Sequence, residues 1–216
     1  MIRFSTGLIF LAALLLSACA NPADNKSKAV VSNTNTSVRS APAVKPANGE
    51  AVAITAENSR IEFTGSKVTG KHDGGFKAFT GNIDLVNGRP EESRVSFEID
   101  VKSVFTDADG LTKHLQTGDF FDVEKFPKAS FTSTGIVPDA AKGAGNYTVT
   151  GDLALRGVTK TVTFPAKIAV DADKVSVESE FVINRKDFGI VYAGQADDLI
   201  RDDVVIRLNL DPRRKK

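Results

Sequence analysis

His72, His114, Arg185 and Cys19 are the residues of this 216-residue chain whose side chains could act directly on a ligand. A histidine beside a carboxylate can serve as a general base near neutral pH. An arginine can fork onto a phosphate or carboxylate, and a cysteine can attack, cross-link or hold a metal. His72 lies in Thr69-Gly70-Lys71-His72-Asp73-Gly74-Gly75-Phe76, which reads as a glycine-rich turn feeding a strand, with amides that could face an anion. The plainer reading is a polar hairpin end whose imidazole is solvated or bonded to backbone. His114 falls between Leu111 and Leu115 on a helical stretch, on the side facing away from both, which makes it a surface side chain. Two scattered histidines do not make a metal site. Arg185, in Ile183-Asn184-Arg185-Lys186-Asp187-Phe188-Gly189-Ile190, either contacts a phosphate or carboxylate or pairs with Asp187 or the acids of residues 119–124. Structural pairing is the stronger alternative, because the chain has no other phosphate motif. No nucleophile elbow, phosphate loop or zinc helix is present, so no catalytic or metal-binding residue is assigned.

Cys19 is the sole cysteine, and its surroundings give it a different use. Arg3, an apolar run from Leu8 to Leu16 and small residues before Cys19 are the parts of a secretory signal, with a run too short to span a membrane. Leu16-Ser17-Ala18-Cys19 resembles the lipobox of bacterial lipoproteins. That implies a signal peptide over residues 1–18, an acylated Cys19 and an anchor that holds the protein to a membrane without spanning it. Ala20, where an Asp would resemble an inner-membrane retention signal, favours the inner leaflet of the outer membrane, facing the periplasm. An acylated Cys19 leaves no thiol for disulfides, thiol catalysis or zinc.

Residues 19–50 hold no aromatic residue and are rich in Ala, Asn, Ser, Thr, Val, Lys and Pro. They read as a disordered tether with a reach of roughly 30 Å. Residues 51–211 form one domain, long enough for a proper core, and hold all the phenylalanines outside the signal. Residues 212–216 form a basic tail, read as solvated or touching anionic lipid headgroups. The formal net charge of +1 does not suit a nucleic-acid binder.

The elements that must position these groups are strands. Val95, Phe97, Ile99 and Val101 alternate with Arg94, Ser96, Glu98 and Asp100, as on a half-buried strand. Similar alternation covers Leu153 and Leu155, Val162 and Phe164, Phe181 and Ile183, and Val204, Ile206 and Leu208, with Gly151 at a point of bend or close approach. Weaker strands cover residues 60–67, 75–86 and 129–137, giving about eight. Residues 107–116 read as the single helix, inside one long excursion between strands (about 105–129). Short connections favour an antiparallel barrel with room for one small ligand over a filled sandwich.

That excursion contains Asp119-Phe120-Phe121-Asp122-Val123-Glu124-Lys125-Phe126-Pro127. Burying each ring is worth roughly 1.5–3 kcal/mol, while the charges must stay wet. A flap with rings inward and charges outward follows.

Taken in order, the segments 70–81 with Phe76 and Phe79, the helix and flap, Gly151-Asp152-Leu153 to Thr159-Lys160, Asn184-Arg185-Lys186-Asp187-Phe188-Gly189 and Asp202-Asp203-Val204-Val205-Ile206 resemble the YceI-like family of periplasmic lipid-binding proteins. The resemblance implies an all-β, eight-stranded, antiparallel lipocalin-like barrel with one short helix. Its interior would hold a polyisoprenoid chain such as a prenyl quinone or prenyl phosphate, without catalysis or a tightly bound cofactor. On that basis Phe76, Phe79, Phe120, Phe121, Phe126, Phe131 and Phe188 are candidate tail contacts, and Arg185, His72 and Tyr192 candidate polar contacts near an opening. The implied partners are the lipid and, through the acyl anchor, a membrane, with a homodimer left open. Two alternatives stand beside this: an enzyme acting on a hydrophobic substrate through His72 or His114, and a tethered adaptor with a filled core.

Overall fold

The computed structural model describes residues 21–34, 49–196 and 198–214; Cys19 and the expected signal peptide lie outside them. The strands are β1 (Val30–Asn33), β2 (Glu50–Thr55), β3 (Ser59–Lys67), β4 (Gly70–Phe76), β5 (Phe79–Val86), β6 (Arg89–Asp100), β7 (Val104–Thr106), β8 (Lys128–Pro138), β9 (Asn146–Leu155), β10 (Val158–Val170), β11 (Val175–Asn184), β12 (Gly194–Gln195), β13 (Asp198–Leu199) and β14 (Asp203–Leu210). The helix α1 is Asp109–Leu115. The main sheet runs β2-β5-β6-β8-β9-β10-β11-β14-β3-β4-β7, and its ladders are antiparallel.

The sheet curls with the apolar face of its strands turned inward. Along β6, Phe97 and Ile99 are buried while Glu98 is exposed; along β10, Val162, Phe164, Ala166 and Ile168 are buried in strict alternation. One continuous apolar core lies inside. The described residues form the expected antiparallel barrel, with α1 as their one α-helix. The count of eight strands is exceeded, by β1, β12 and β13 and by three further differences. The stretch expected as one strand over 75–86 breaks at Lys77 and Ala78 into β4 and β5. The start of the excursion adds β7 to the edge of β4, and β2 pairs with β5.

A larger correction concerns the tether. β10 and β11 pair only over Lys167–Val170 and Val175–Glu178 and then diverge, which would leave backbone groups in the wall unpaired. The N-terminal segment fills that gap. β1 pairs with Lys160–Thr163 of β10, and on its other side the Ala29 amide donates to the Val182 carbonyl at 2.8 Å while the Val182 amide donates to that of Ser27 at 2.9 Å. Ala29 and Val31 pack on the barrel core, and Ala23 is buried against Val182 and Val205 on the outer face. Lys26 pairs with Glu180 and Lys28 with Asp203. Residues 21–34 are therefore a stave of the barrel rather than tether. A chain beginning at residue 49 should lose about 3 kcal/mol from uncovering Val182, Val205 and the slot. That predicts a melting temperature lower by roughly 6–12 °C, measurable by calorimetry.

The C-terminal residues are corrected in the same sense. Pro212 is buried and its carbonyl accepts from the Val175 amide. Arg214 donates twice to Glu50 Oε2, at 2.7 and 2.9 Å, and to the Asp171 carbonyl. The expected solvated tail is docked as far as Arg214.

Candidate apolar cavity

The inward face of the barrel is not filled. A cavity of about 180 Å³ lies under the flap and α1, and a second of about 40 Å³ lies deeper. Leaving 180 Å³ empty costs about 4 kcal/mol relative to a packed core, at ~24 cal/mol per Å³. That is large against a typical total stability of about 5–15 kcal/mol, so the void is a substantial feature of the fold rather than a packing fault.

Its wall follows directly from the strand alternation. Ile61, Phe63 and Gly65 of β3, Phe97 and Ile99 of β6, and Leu153 and Leu155 of β9 line it. So do Val162 and Phe164 of β10, Phe181 and Ile183 of β11, and Val204, Ile206 and Leu208 of β14. Phe97, Phe131, Phe164 and Leu208 border both cavities. These rings form an aromatic waist: Phe97 stacks on Phe131 at 5.4 Å, Phe131 meets Phe164 at 5.7 Å, and Phe164 stacks on Phe181 at 4.2 Å. Gly151 makes room for the waist, because a Cβ there would sit 2.6 Å from both the Phe131 ring and the Thr132 carbonyl.

The flap covers the cavity as its composition implies. Phe120 is buried and Phe121 half-buried, both lining the cavity beside Leu115 of α1, while Glu124 is exposed and pairs with Lys102. Asp122, at φ 50°, reverses the chain, and its carbonyl accepts from the Phe126 amide. That turn carries the Phe126 ring away from the cavity and onto Gly157, where a Cβ would lie 2.5 Å from it. Phe126 clamps the flap to the β9–β10 hairpin. Exchanging Phe121 for Ser should leave the barrel folded and open the cavity roof, with ligand affinity reduced about tenfold or more. Phe120→Ser should cost about 3–4 kcal/mol of stability, read by urea unfolding.

Of the other expected tail contacts, Phe76 and Phe131 line the cavity, whereas Phe79 and Phe188 are packed in solid core away from it. Phe188 is fully buried in the 3₁₀ turn Arg185–Phe188. The polar candidates do not gather at an opening. His72 is in β4, not in a turn, and its Nδ1 lies 2.7 Å from Asp107 Oδ1 on the outer surface. Gly74 and Gly75 are strand residues; the lack of Cβ admits the Phe105 carbonyl and the Phe63 ring at Gly74, and the Ile61 carbonyl and the Phe105 ring at Gly75. They pair with β3 rather than forming an anion cradle. Tyr192 lies outside the flap, with Phe120 at 5.5 Å and His114 at 5.1 Å. His114 also meets Phe120 edge-on at 5.0 Å and places Nε2 2.9 Å from Asp119 Oδ2, so it is a half-exposed surface residue held by a ring contact and a hydrogen bond.

Asp107 is held below the ordinary carboxylate range, chiefly by the His72 hydrogen bond and then by the Asp73 amide. A lowered folded value means a stabilisation present at neutral pH and lost as pH falls below about 4 toward that folded value. Both groups are half-exposed, so Asp107→Asn should lower the neutral-pH melting temperature only slightly and flatten its acid dependence.

Arg185 lines the cavity but is fully committed. It is 5 % exposed and donates from Nη1 to the Ile190 carbonyl at 2.7 Å and from Nε to the Arg201 carbonyl at 3.2 Å. Its Nη2 reaches Asp202 Oδ1 at 3.1 Å and the Ile200 carbonyl at 3.4 Å. Burial lowers its pKa and Asp202 opposes the shift; an arginine remains a cation throughout. It ties Ile190 to residues 200–202, and Ile190, Ile200 and Arg201 stand in the wall. Arg201 was absent from the expected contacts, as were Phe63, Phe97, Phe164 and Phe181.

A family model described as YceI-like domain matches residues 53–211. A UPF0312 protein of Pseudomonas putida is 34% identical over 139 residues, covering 62% of this chain and 71% of that one. Protein YceI of Escherichia coli is 37% identical over 123 residues, covering 54% of this chain and 62% of that one. Among solved structures, Burkholderia cenocepacia BcnA superposes with a TM-score of 0.65 at 23% identity, covering 73% of this chain and 98% of its own. A polyisoprenoid binding domain from Saccharophagus degradans superposes with a TM-score of 0.61 at 19% identity, covering 78% and 100%. At these identities the structural likeness establishes the fold.

Proposed function

We propose, because the chain belongs to the YceI-like domain family, that it binds one apolar lipid tail in its barrel and carries out no chemistry on it. The observation that carries this function is the 180 Å³ cavity, whose wall is apolar side chains apart from Arg185 and Arg201. The polyisoprenoid binding described for the Saccharophagus degradans domain supports an isoprenoid as the tail. An enzyme using His72 or His114 fits less well, since both point away from the cavity and are paired to Asp107 and Asp119. A filled-core adaptor fits less well because the core is hollow.

The size of the cavity limits what it holds unaided. A void of about 150 Å³ takes benzene, so 180 Å³ accepts one isoprene unit and part of a second. Seven buried carbons at about 0.8 kcal/mol each supply roughly 5–6 kcal/mol before ordering losses. That lies between millimolar and micromolar affinity, about 4 and 8 kcal/mol respectively. A longer prenyl chain must therefore swing the Phe97–Phe131–Phe164 waist aside and join the two cavities, or gain affinity from its head. Acylation of Cys19 would hold this binding site beside a membrane in the cell envelope, for storage or transport of the lipid.

The test is calorimetric titration with geraniol and farnesol. Saturable binding of one molecule per chain is expected. Phe131→Ala, which thins the waist, should favour the longer alcohol by roughly tenfold. Absence of saturable binding by either alcohol would sink the proposal.

A further inference from the structure

We propose that Arg201 reads the head of the ligand, binding an oxyanion, a phosphate monoester or a carboxylate, where the apolar tail enters the cavity. This deepens the binding function proposed above and rests on it. Two cations line the cavity, and they are in opposite states. Arg185 has its guanidinium satisfied by the Ile190, Ile200 and Arg201 carbonyls and by Asp202. Arg201 is held only by its backbone, donating from its amide to the Ser66 carbonyl at 2.8 Å and accepting from Arg185 at its own carbonyl. Its guanidinium makes no hydrogen bond or ion pair among the described residues, and its Nε is buried without a partner.

A buried donor left unpaired is destabilising, and native structures leave few of them. The adjacent carboxylate does not relieve it, because Asp202 is taken by Arg185 and by Lys186 at 2.8 Å. Asp202 is thus shared between Arg185 and Lys186 and leaves the Arg201 charge uncompensated, which favours an arriving anion. A guanidinium fork matches the two oxygens of a phosphate or carboxylate, whereas a neutral alcohol or quinone oxygen offers it one uncharged acceptor. The same residue gives a short cavity the affinity its tail contacts lack.

The experiment is calorimetric titration of the full chain with geranyl phosphate, geranic acid and geraniol, which share one tail and differ in the head. Arg201→Gln is the test variant and Arg201→Lys the conservative one. The native chain should bind at least one of the two anions about tenfold or more tighter than geraniol, as expected for a charge-assisted pair. Preference for the phosphate or for the carboxylate tells which head the site takes. Arg201→Gln should bring the three ligands within about threefold of one another, chiefly by weakening the two anions, and Arg201→Lys should restore part of the preference. Added salt should weaken only the anions. Equal binding of geraniol and both anions by the native chain, or an anion preference that survives Arg201→Gln, would overturn the assignment to Arg201. Binding of none of the three would instead overturn the apolar-tail function beneath it.

Discussion

Gly65→Leu is expected to abolish ligand binding while raising the melting temperature. Gly65 lines the cavity on β3, in step with Ile61 and Phe63, and a Cβ built on it meets nothing within 4 Å. A leucine there would grow into the void. It would also replace a strand-interior glycine, which costs about 0.5–1 kcal/mol, and bury an apolar side chain worth roughly 1.5–3 kcal/mol. A net gain of about 2 kcal/mol corresponds to roughly 4–8 °C. Opposite movement of stability and affinity is diagnostic, since a variant that merely damaged the fold would lose both. Calorimetric titration with farnesol beside a thermal scan checks it; a stabilised Gly65→Leu chain that binds like the native one would place the ligand elsewhere.

Arg185→Ala is expected to have the largest destabilising effect of any single change at the site. It removes a guanidinium that is 5 % exposed, leaves the Ile190, Ile200 and Arg201 carbonyls without this donor, and leaves Asp202 to Lys186 alone. Leaving buried acceptors unpaired costs roughly 1–3 kcal/mol apiece. Lysine at this position should rescue little, because an ammonium on a flexible stem cannot reproduce the fork. Urea unfolding should show a lowered midpoint with an unchanged slope. Ligand affinity should fall too, since Ile190, Ile200 and Arg201 form part of the wall. A near-native midpoint for Arg185→Ala would mean that the loop is held by its other contacts alone.

The barrel and the wall of its cavity were legible in the strand alternation. Phe97 and Ile99, Leu153 and Leu155, Phe164, Phe181 and Ile183, and Val204, Ile206 and Leu208 all read as inward-facing by period two, and all border the cavity. Alternation tells which way a side chain faces, and not whether it meets a neighbour or a void. For that reason the rings made conspicuous by charged surroundings, Phe120, Phe121 and Phe126, drew the expectation of contact. Two of them line the cavity and Phe126 clamps the flap from outside.

The division between Arg185 and Arg201 was not legible, because it is decided by carbonyls that only the folded loop brings to Arg185. The stave formed by residues 21–34 was hidden for a related reason. Its composition is that of a tether, and its order comes from a gap between β10 and β11 that lies about 130 residues away in sequence. The docking of Arg214 onto Glu50 is equally remote in sequence. Local pattern therefore gave the faces, while unpaired backbone and unpaired charge, which depend on the whole fold, gave the corrections.

Native mass spectrometry of the full chain incubated with a short-tailed prenyl quinone tests the central claim most directly. One ligand per chain, retained under gentle conditions and lost in Gly65→Leu, is the predicted result. No retained ligand, or one that persists undiminished when Gly65→Leu fills the cavity, would contradict it.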